Sequence, residues 1–456
     1  MTALFAKRAL LTTGWAERVR LTLRDGRVAA LTVDTDPEPG DLSIDCLLPA
    51  LANLHSHSFQ RAMAGMTEYR LAGRDSFWTW RELMYRFTAH LTPEQIEAIA
   101  ALVFLEMQEA GYASVGEFHY LHHQKDGSTY DNLAEHSDRI MAAAAQTGIG
   151  LTHLPVLYSY AGVGKVPLEP GQMRFGNDVD QFCKLVDQAR SAALALPADC
   201  QVGIAPHSLR ATAPDDLARV LQAQAAGCPV HIHIAEQPKE VQEVQAGLGA
   251  RPVEWLLANA PVDQSWCLIH ATHMTQAETR AMAVSGSVAG LCPVTEANLG
   301  DGPFNGATYL EAGGAFGVGS DSNVLISLTE ELRTLEYSQR LRDLSRNVLV
   351  QGEGSVGHAL YTGAAKGGAQ ALGRGAGEIA VGQWADLVAI DSTHPSLCAL
   401  TDVQLLDGLV FAAKDEVVTD LWSAGRHCVQ GGCHVARDQI LARYRKAISG
   451  LLAEIG

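Results

Sequence analysis

The chain of 456 residues has no surplus of positive charge. Lysine and arginine total 34 against 51 aspartates and glutamates, a formal net charge of −17. Nucleic acid and anionic membrane surfaces both demand a positive face, so neither is expected as a partner. An anionic small molecule would have to meet arginines placed locally. No uncharged apolar run approaches membrane-spanning length. The opening Met1-Thr2-Ala3-Leu4-Phe5-Ala6-Lys7-Arg8 lacks the basic-then-apolar order of a secretory leader, and a cytoplasmic protein is expected. The nine cysteines contain no Cys-x-x-Cys, and several sit in apolar runs such as Trp266-Cys267-Leu268-Ile269. They read as small buried hydrophobes of a reducing compartment. Internal repeats and low-complexity tracts are also missing. Gly373-Arg374-Gly375-Ala376-Gly377 has no strand–helix unit around it and reads as a turn, not a phosphate loop.

What is present is an alternation. Residues 1 to about 48 look like strands and turns: Val19-Arg20-Leu21-Thr22-Leu23 alternates, Asp25-Gly26 turns, and residues 28–33 follow. From about 47 to 330 come eight short apolar strand candidates, at 47–55, 113–121, 148–158, 200–207, 228–236, 265–273, 287–296 and 314–321. Near-continuous apolar runs fit strands buried on both faces. Helices fall between them. Thr92-Pro93-Glu94-Gln95 is a helix start with a cap, a first-turn proline and a third-position glutamine; Asn177 or Asp178 starts another, and Pro214 a third. Eight strands separated by helices point to a (β/α)8 barrel over 49–374. The tail returns to strands around 382–391 and 416–426 and ends in a helix from Arg437. Segments 1–48 and 375–456 are expected to pair into one small β-sandwich beside the barrel.

In such a barrel, function lies at the C-terminal ends of the strands. The first strand ends Asn53-Leu54-His55-Ser56-His57, and residues i and i+2 of a strand point to one side. The second ends with Glu117, His119 and Tyr120, the fourth with His207-Ser208-Leu209-Arg210, and the fifth with His231-Ile232-His233-Ile234-Ala235-Glu236. The sixth ends with His270 and His273, the eighth with Ser320-Asp321-Ser322. Ionisable or polar groups close six of eight apolar strands. Buried without partners they would cost several kcal/mol each, so one shared polar centre is the cheaper account.

This arrangement resembles the amidohydrolase superfamily, which cleaves C–N and related bonds with a metal-activated water. The resemblance implies one divalent ion, zinc by preference, on His55, His57, His233 and Asp321. Strand four lacks the lysine of the two-metal members, and His233-x-x-Glu236 is similar to the one-metal deaminases. His231 is also a strand-five candidate by residue type. On the same resemblance the catalytic groups are Glu236 as proton carrier, His270 as charge stabiliser and Asp321 as acceptor of the water proton. His119, His122, His123 and His273 are then structural or supporting.

Asn53 to Gly65, Glu117 to His123 and Pro206 to Arg210 resemble more narrowly the formimidoylglutamate deiminase family. That implies N-formimino-L-glutamate as the small-molecule substrate, a homodimer, and Gln60, Arg81, Tyr120, His207 and Arg210 as substrate-binding residues. Arg210 can offer a bidentate fork to a carboxylate. Arg81 has a competing role as a surface partner of Glu82 or Glu106. The alternative substrate class is a nucleoside or heterocycle of the guanine or S-adenosylhomocysteine type.

Overall fold

The computed structural model describes residues 2–69 and 77–455. The two ends of the chain meet in one eight-stranded sheet. Its order is Cys433–His434, Arg426–Gln430, Val418–Ser423, Leu387–Ile390, Leu42–Pro49, Thr2–Leu11, Gly14–Arg24 and Arg27–Thr32. The halves join where Leu48 faces Val388 and Leu47 faces Ala389 in antiparallel register. The hairpin at Asp25-Gly26 needs positive φ at both residues, and they adopt 51° and 78°. A Cβ at Gly26 would also stand 3.0 Å from the Ala424 carbonyl. The far edge curls back: the Val28 amide donates to the Gln383 carbonyl at 3.0 Å. Thus the expected sandwich is a single continuous sheet wrapped over its own core of Leu4, Val19, Leu21, Leu387 and Trp422.

The middle of the chain forms a barrel-like ring of parallel strands. One arc holds the first strand (Leu51–Ser56), the second (Tyr112–His119), the third (Gly150–Leu157) and a broken fourth, Gln201–Val202 and Ala205–Pro206. The other holds the fifth (Val230–Ile234), sixth (Trp266–His270), seventh (Val288–Leu291) and eighth (Ala315–Val318). The arcs touch at both seams through parallel bridges, Ile204 to Val230 and Ser56 to Asp321. The fourth strand breaks where Gly203 lies so close to the Pro229 carbonyl that a Cβ would sit 2.6 Å from it.

The expected strand 47–55 is two strands. Residues up to Pro49 belong to the end sheet, and the ring begins at Leu51. The continuous apolar run conceals this change, because both strands are buried. Helix Pro93–Glu109 has the anticipated Thr92–Gln95 capping box. Val179–Ala193 is capped by Asp178, and Pro214–Gln222 opens on its proline. Below the ring, Arg374 is buried between Asp386 and Asp199, and Arg426 also grips Asp199 at 2.7 and 2.8 Å.

Candidate active site

At the opposite end of the ring, the strand ends converge. His55 closes the first strand, and His57 starts the turn into a short 3-10 helix, Ser58–Met63. Glu117 fixes this turn by accepting from both the amide and the hydroxyl of Ser58, at 2.8 and 2.6 Å. One donor atom from each of His55, His57, His233 and Asp321 lies within 4.8 Å of the others, and all four side chains are buried.

The tautomers favour a cation at the centre. His57 Nδ1 lies 2.7 Å from the Phe118 carbonyl, and His233 Nδ1 lies 3.2 Å from the His207 carbonyl. A carbonyl accepts only, so both Nδ1 atoms carry the proton and both Nε2 lone pairs face inward. His55 Nε2 and His233 Nε2 stand 3.1 Å apart. Burial drives the His55 pKa down to about 3 and lowers those of His57 and His233, so all three are neutral and ready to ligate. Burial works against charge on Asp321 as well, yet a hydrogen bond with His55 and the charge on His270 hold its carboxyl well below the usual range. The donor set of three imidazoles and one carboxylate suits a divalent metal ion.

The surrounding backbone is forced into shape. Ala235, His270, Ala271, Asp321 and Asn323 all have φ between 47° and 68°, a region that side chains enter at a cost. Part of the compensation is a polar clip between first and eighth strands. Asn53 Nδ2 donates to Ser320 Oγ at 2.7 Å, Ser320 Oγ donates to Asn323 Oδ1 at 2.6 Å, and Asn323 Nδ2 donates to Ser56 Oγ at 3.2 Å.

Glu236 and His270 stand beside the four ligands. Glu236 is buried, and burial, opposed by His270 and reinforced by Asp321, lifts its pKa to about 7. A carboxyl there can both take and give a proton at neutral pH. His270 Nε2 is 3.7 Å from Glu236 and 3.9 Å from Asp321, while its Nδ1 is 3.3 Å from Glu296. Burial opposes its charge, but these carboxylates raise its pKa to about 10.

A cavity opens over these groups, and Gln60, Arg81, Tyr120, His207 and Arg210 all line it. Gln60 Nε2 donates to the Tyr120 hydroxyl at 2.8 Å. Arg210 is 6% exposed, and its Nε has no hydrogen-bond partner. Arg81 comes from helix Phe77–Thr88 and lies 4.6 Å over the Trp78 ring. Among the described residues it forms no ion pair, and Glu106 is taken by Arg61 at 2.8 Å. Tyr158 also lines the cavity, its ring 4.5 Å from that of His207.

The remaining histidines point elsewhere. His231 Nε2 meets the Ala371 carbonyl, and burial takes its pKa to about 4. His119, His122 and His123 meet the carbonyls of Leu121, Val156 and Gly176. His273 is half-buried, with its Nε2 unpartnered. The sequence reading passed over Glu240, which accepts from the Glu236 amide at 3.1 Å, and Glu296 behind His270. Glu296 had a signal, a glutamate closing the seventh strand candidate, 287–296.

The amidohydrolase family matches residues 46–428, and the chain belongs to it. A solved amidohydrolase from Brucella melitensis is 47% identical, covers 99% of this chain and 100% of its own, and superposes with a TM-score of 0.94. Residues 1–43 match "Formimidoylglutamate deiminase HutF, N-terminal domain". A formimidoylglutamate deiminase from Pseudomonas aeruginosa is 49% identical over 99% of this chain and 100% of its own. Within the amidohydrolases, the chain is a member of the formimidoylglutamate deiminase family. A 5-methylthioadenosine/S-adenosylhomocysteine deaminase from Natronomonas pharaonis is 25% identical over 94% of this chain and 91% of its own.

Proposed function

We propose that this chain converts N-formimino-L-glutamate and water to N-formyl-L-glutamate and ammonia, as a step of histidine degradation. The observation that carries the reading is Arg210, a buried guanidinium with an unsatisfied donor, facing the same cavity as the proton carrier Glu236. A buried charge is costly until a partner arrives, and a dicarboxylate is such a partner. Arg81 supplies the second cation, and Gln60, Tyr120 and His207 supply polar contacts along the chain of the substrate.

The residues His55, His57, His233 and Asp321 would hold one divalent ion, zinc by the match of imidazole and carboxylate donors. Such an ion supplies a water acidic enough to lose its proton near neutral pH. Asp321 takes that proton as the water oxygen bonds to the amidine carbon. His270 stabilises the charge that develops there. Glu236 carries one proton to the amidine nitrogen and the proton on Asp321 adds a second; as the C–N bond breaks and ammonia leaves, the hydroxyl on the carbon returns a proton to Glu236 and becomes the formyl carbonyl.

The wider reading is a closed (β/α)8 barrel over 49–374 with a small β unit from 1–48 and 375–456, acting as a cytoplasmic homodimer. The hydrogen-bonded seams at Ile204 and Ser56 support closure. The test is ammonia release from N-formimino-L-glutamate, guanine and adenosine side by side. Turnover of either heterocycle without turnover of the amidine overturns the assignment. Two metals per chain, both required for turnover, would overturn the one-ion reading.

A further inference from the structure

Three neighbouring ring strands end on a second set of metal-binding atoms. His270 closes the sixth strand, Cys292 follows the seventh and Asp321 follows the eighth. An imidazole nitrogen, the Cys292 sulfur and a carboxylate oxygen lie within 4.8 Å of one another, and all three side chains are buried. Asp321 is shared with the first set, but its two oxygens face different ways. Oδ1 is 3.5 Å from His55 Nε2 and 3.3 Å from His57 Nε2, whereas Oδ2 is 3.9 Å from His270 Nε2. A carboxylate so placed can join two cations. Glu296 steadies the other two ligands through one oxygen: Oε1 accepts from the Cys292 amide at 2.9 Å and lies 3.3 Å from His270 Nδ1. With Nδ1 engaged there, Nε2 is the nitrogen left for an ion.

We propose that His270, Cys292 and Asp321 bind a soft divalent cation, Cd2+ or surplus Zn2+, at a second and inhibitory site. Softness follows from the thiolate, which such ions prefer over harder ligands. On binding, the ion takes the sulfur lone pair, and the thiol and imidazole protons pass to solvent. Inhibition follows from His270. Its Nε2 also lies 3.7 Å from Glu236 Oε1, so an ion there removes the imidazole from the reacting carbon and ties down the proton carrier.

The test uses the full chain carrying one equivalent of its own metal, titrated with Cd2+. The readouts are the ultraviolet thiolate-to-cadmium absorbance and the rate of ammonia release. The same titration is run on Cys292→Ser and Cys292→Ala. The expected result is a one-thiolate band that saturates together with inhibition. Both variants should lose the band and need roughly tenfold or more Cd2+ for equal inhibition, as for a metal site deprived of a ligand. No band in the unmodified chain overturns the proposal. So does inhibition unchanged in both variants, the result expected if Cd2+ only replaces the first metal. The absorbance does not depend on which amidine is the substrate, so failure of this site and failure of the deiminase reading are separable.

Discussion

The two ends of the ring both bury charge, and they treat it in opposite ways. At the lower end Arg374, Asp386, Asp199 and Arg426 satisfy one another. Asp386 accepts from Arg374 and from the Ala424 amide, and both Asp199 oxygens are engaged by arginines. At the upper end Arg210 Nε, His55 Nδ1, Gln60 Oε1, Glu240 Oε1 and Asp301 Oδ2 are buried without partners. Asp301 is pushed to about 9 by burial and by Glu236. The lower network is complete, and it fastens the end sheet to the ring. The upper one leaves polar atoms unpaired around the cavity, which is the condition of a binding site.

Breaking each end should therefore break a different property. Glu236→Gln keeps shape and removes the proton carrier; kcat should fall about 10²- to 10⁴-fold, with metal content and thermal midpoint unchanged. Near-normal turnover would remove Glu236 from the mechanism. Arg374→Met leaves two carboxylates buried beside each other and should cost about 3–5 kcal/mol of unfolding free energy in urea, while the folded fraction keeps its kcat. A drop in kcat of the folded fraction with stability intact would reverse the assignment of the two ends.

Part of this contrast is legible in the sequence. His55 and His57 can be placed on one side because a strand has a period of two, and Asp178 and Thr92 mark their helices because capping is local. The eight strands stand out because burial on both faces makes them apolar throughout. The change of sheet at Ala50 does not stand out, for that same reason. Nor does the lower network, whose members at 199, 374, 386 and 426 are joined only by folding. His233 could be preferred to His231 only through resemblance; the distinction is physical but tertiary, since His231 Nε2 is engaged by the Ala371 carbonyl. Arg81 is similar. No spacing rule ties it to the site, and its place depends on how helix Phe77–Thr88 lies across the cavity.

Arg210→Met sharpens the comparison, because the two ends predict opposite signs for loss of an arginine. Charge-assisted hydrogen bonds are worth about 1.5–3 kcal/mol, so kcat/KM for the dicarboxylate should fall about 10- to 150-fold, mainly through KM. Unfolding free energy should hold steady or rise, since an unpaired buried charge has been removed. Unchanged KM would eliminate the carboxylate clamp. A stability loss like that of Arg374→Met would mean that Arg210 is already paired.

The wall between the two ends gives the smallest effect. His122, His136 and His153 are buried there, and burial depresses the pKa of each well below the ordinary value. His153 Nε2 meets Ser137 Oγ at 2.9 Å, and its Nδ1 has no partner. Below about pH 6.5 the unfolded chain protonates these rings while the folded chain does not. The unfolded state then binds more protons, so stability rises with pH through this window and is lost as pH falls. The contribution is complete above about 6.5 and declines by up to about 1.4 kcal/mol per pH unit for each ring. His153→Gln should flatten the pH dependence of the urea midpoint between about pH 7 and 5 by one such increment. The lower network should contribute no slope there, because its arginines hold Asp199 below the usual carboxylate range. An unchanged slope in His153→Gln would show that this histidine is already protonated in the folded chain, and would place a second cationic centre in the wall.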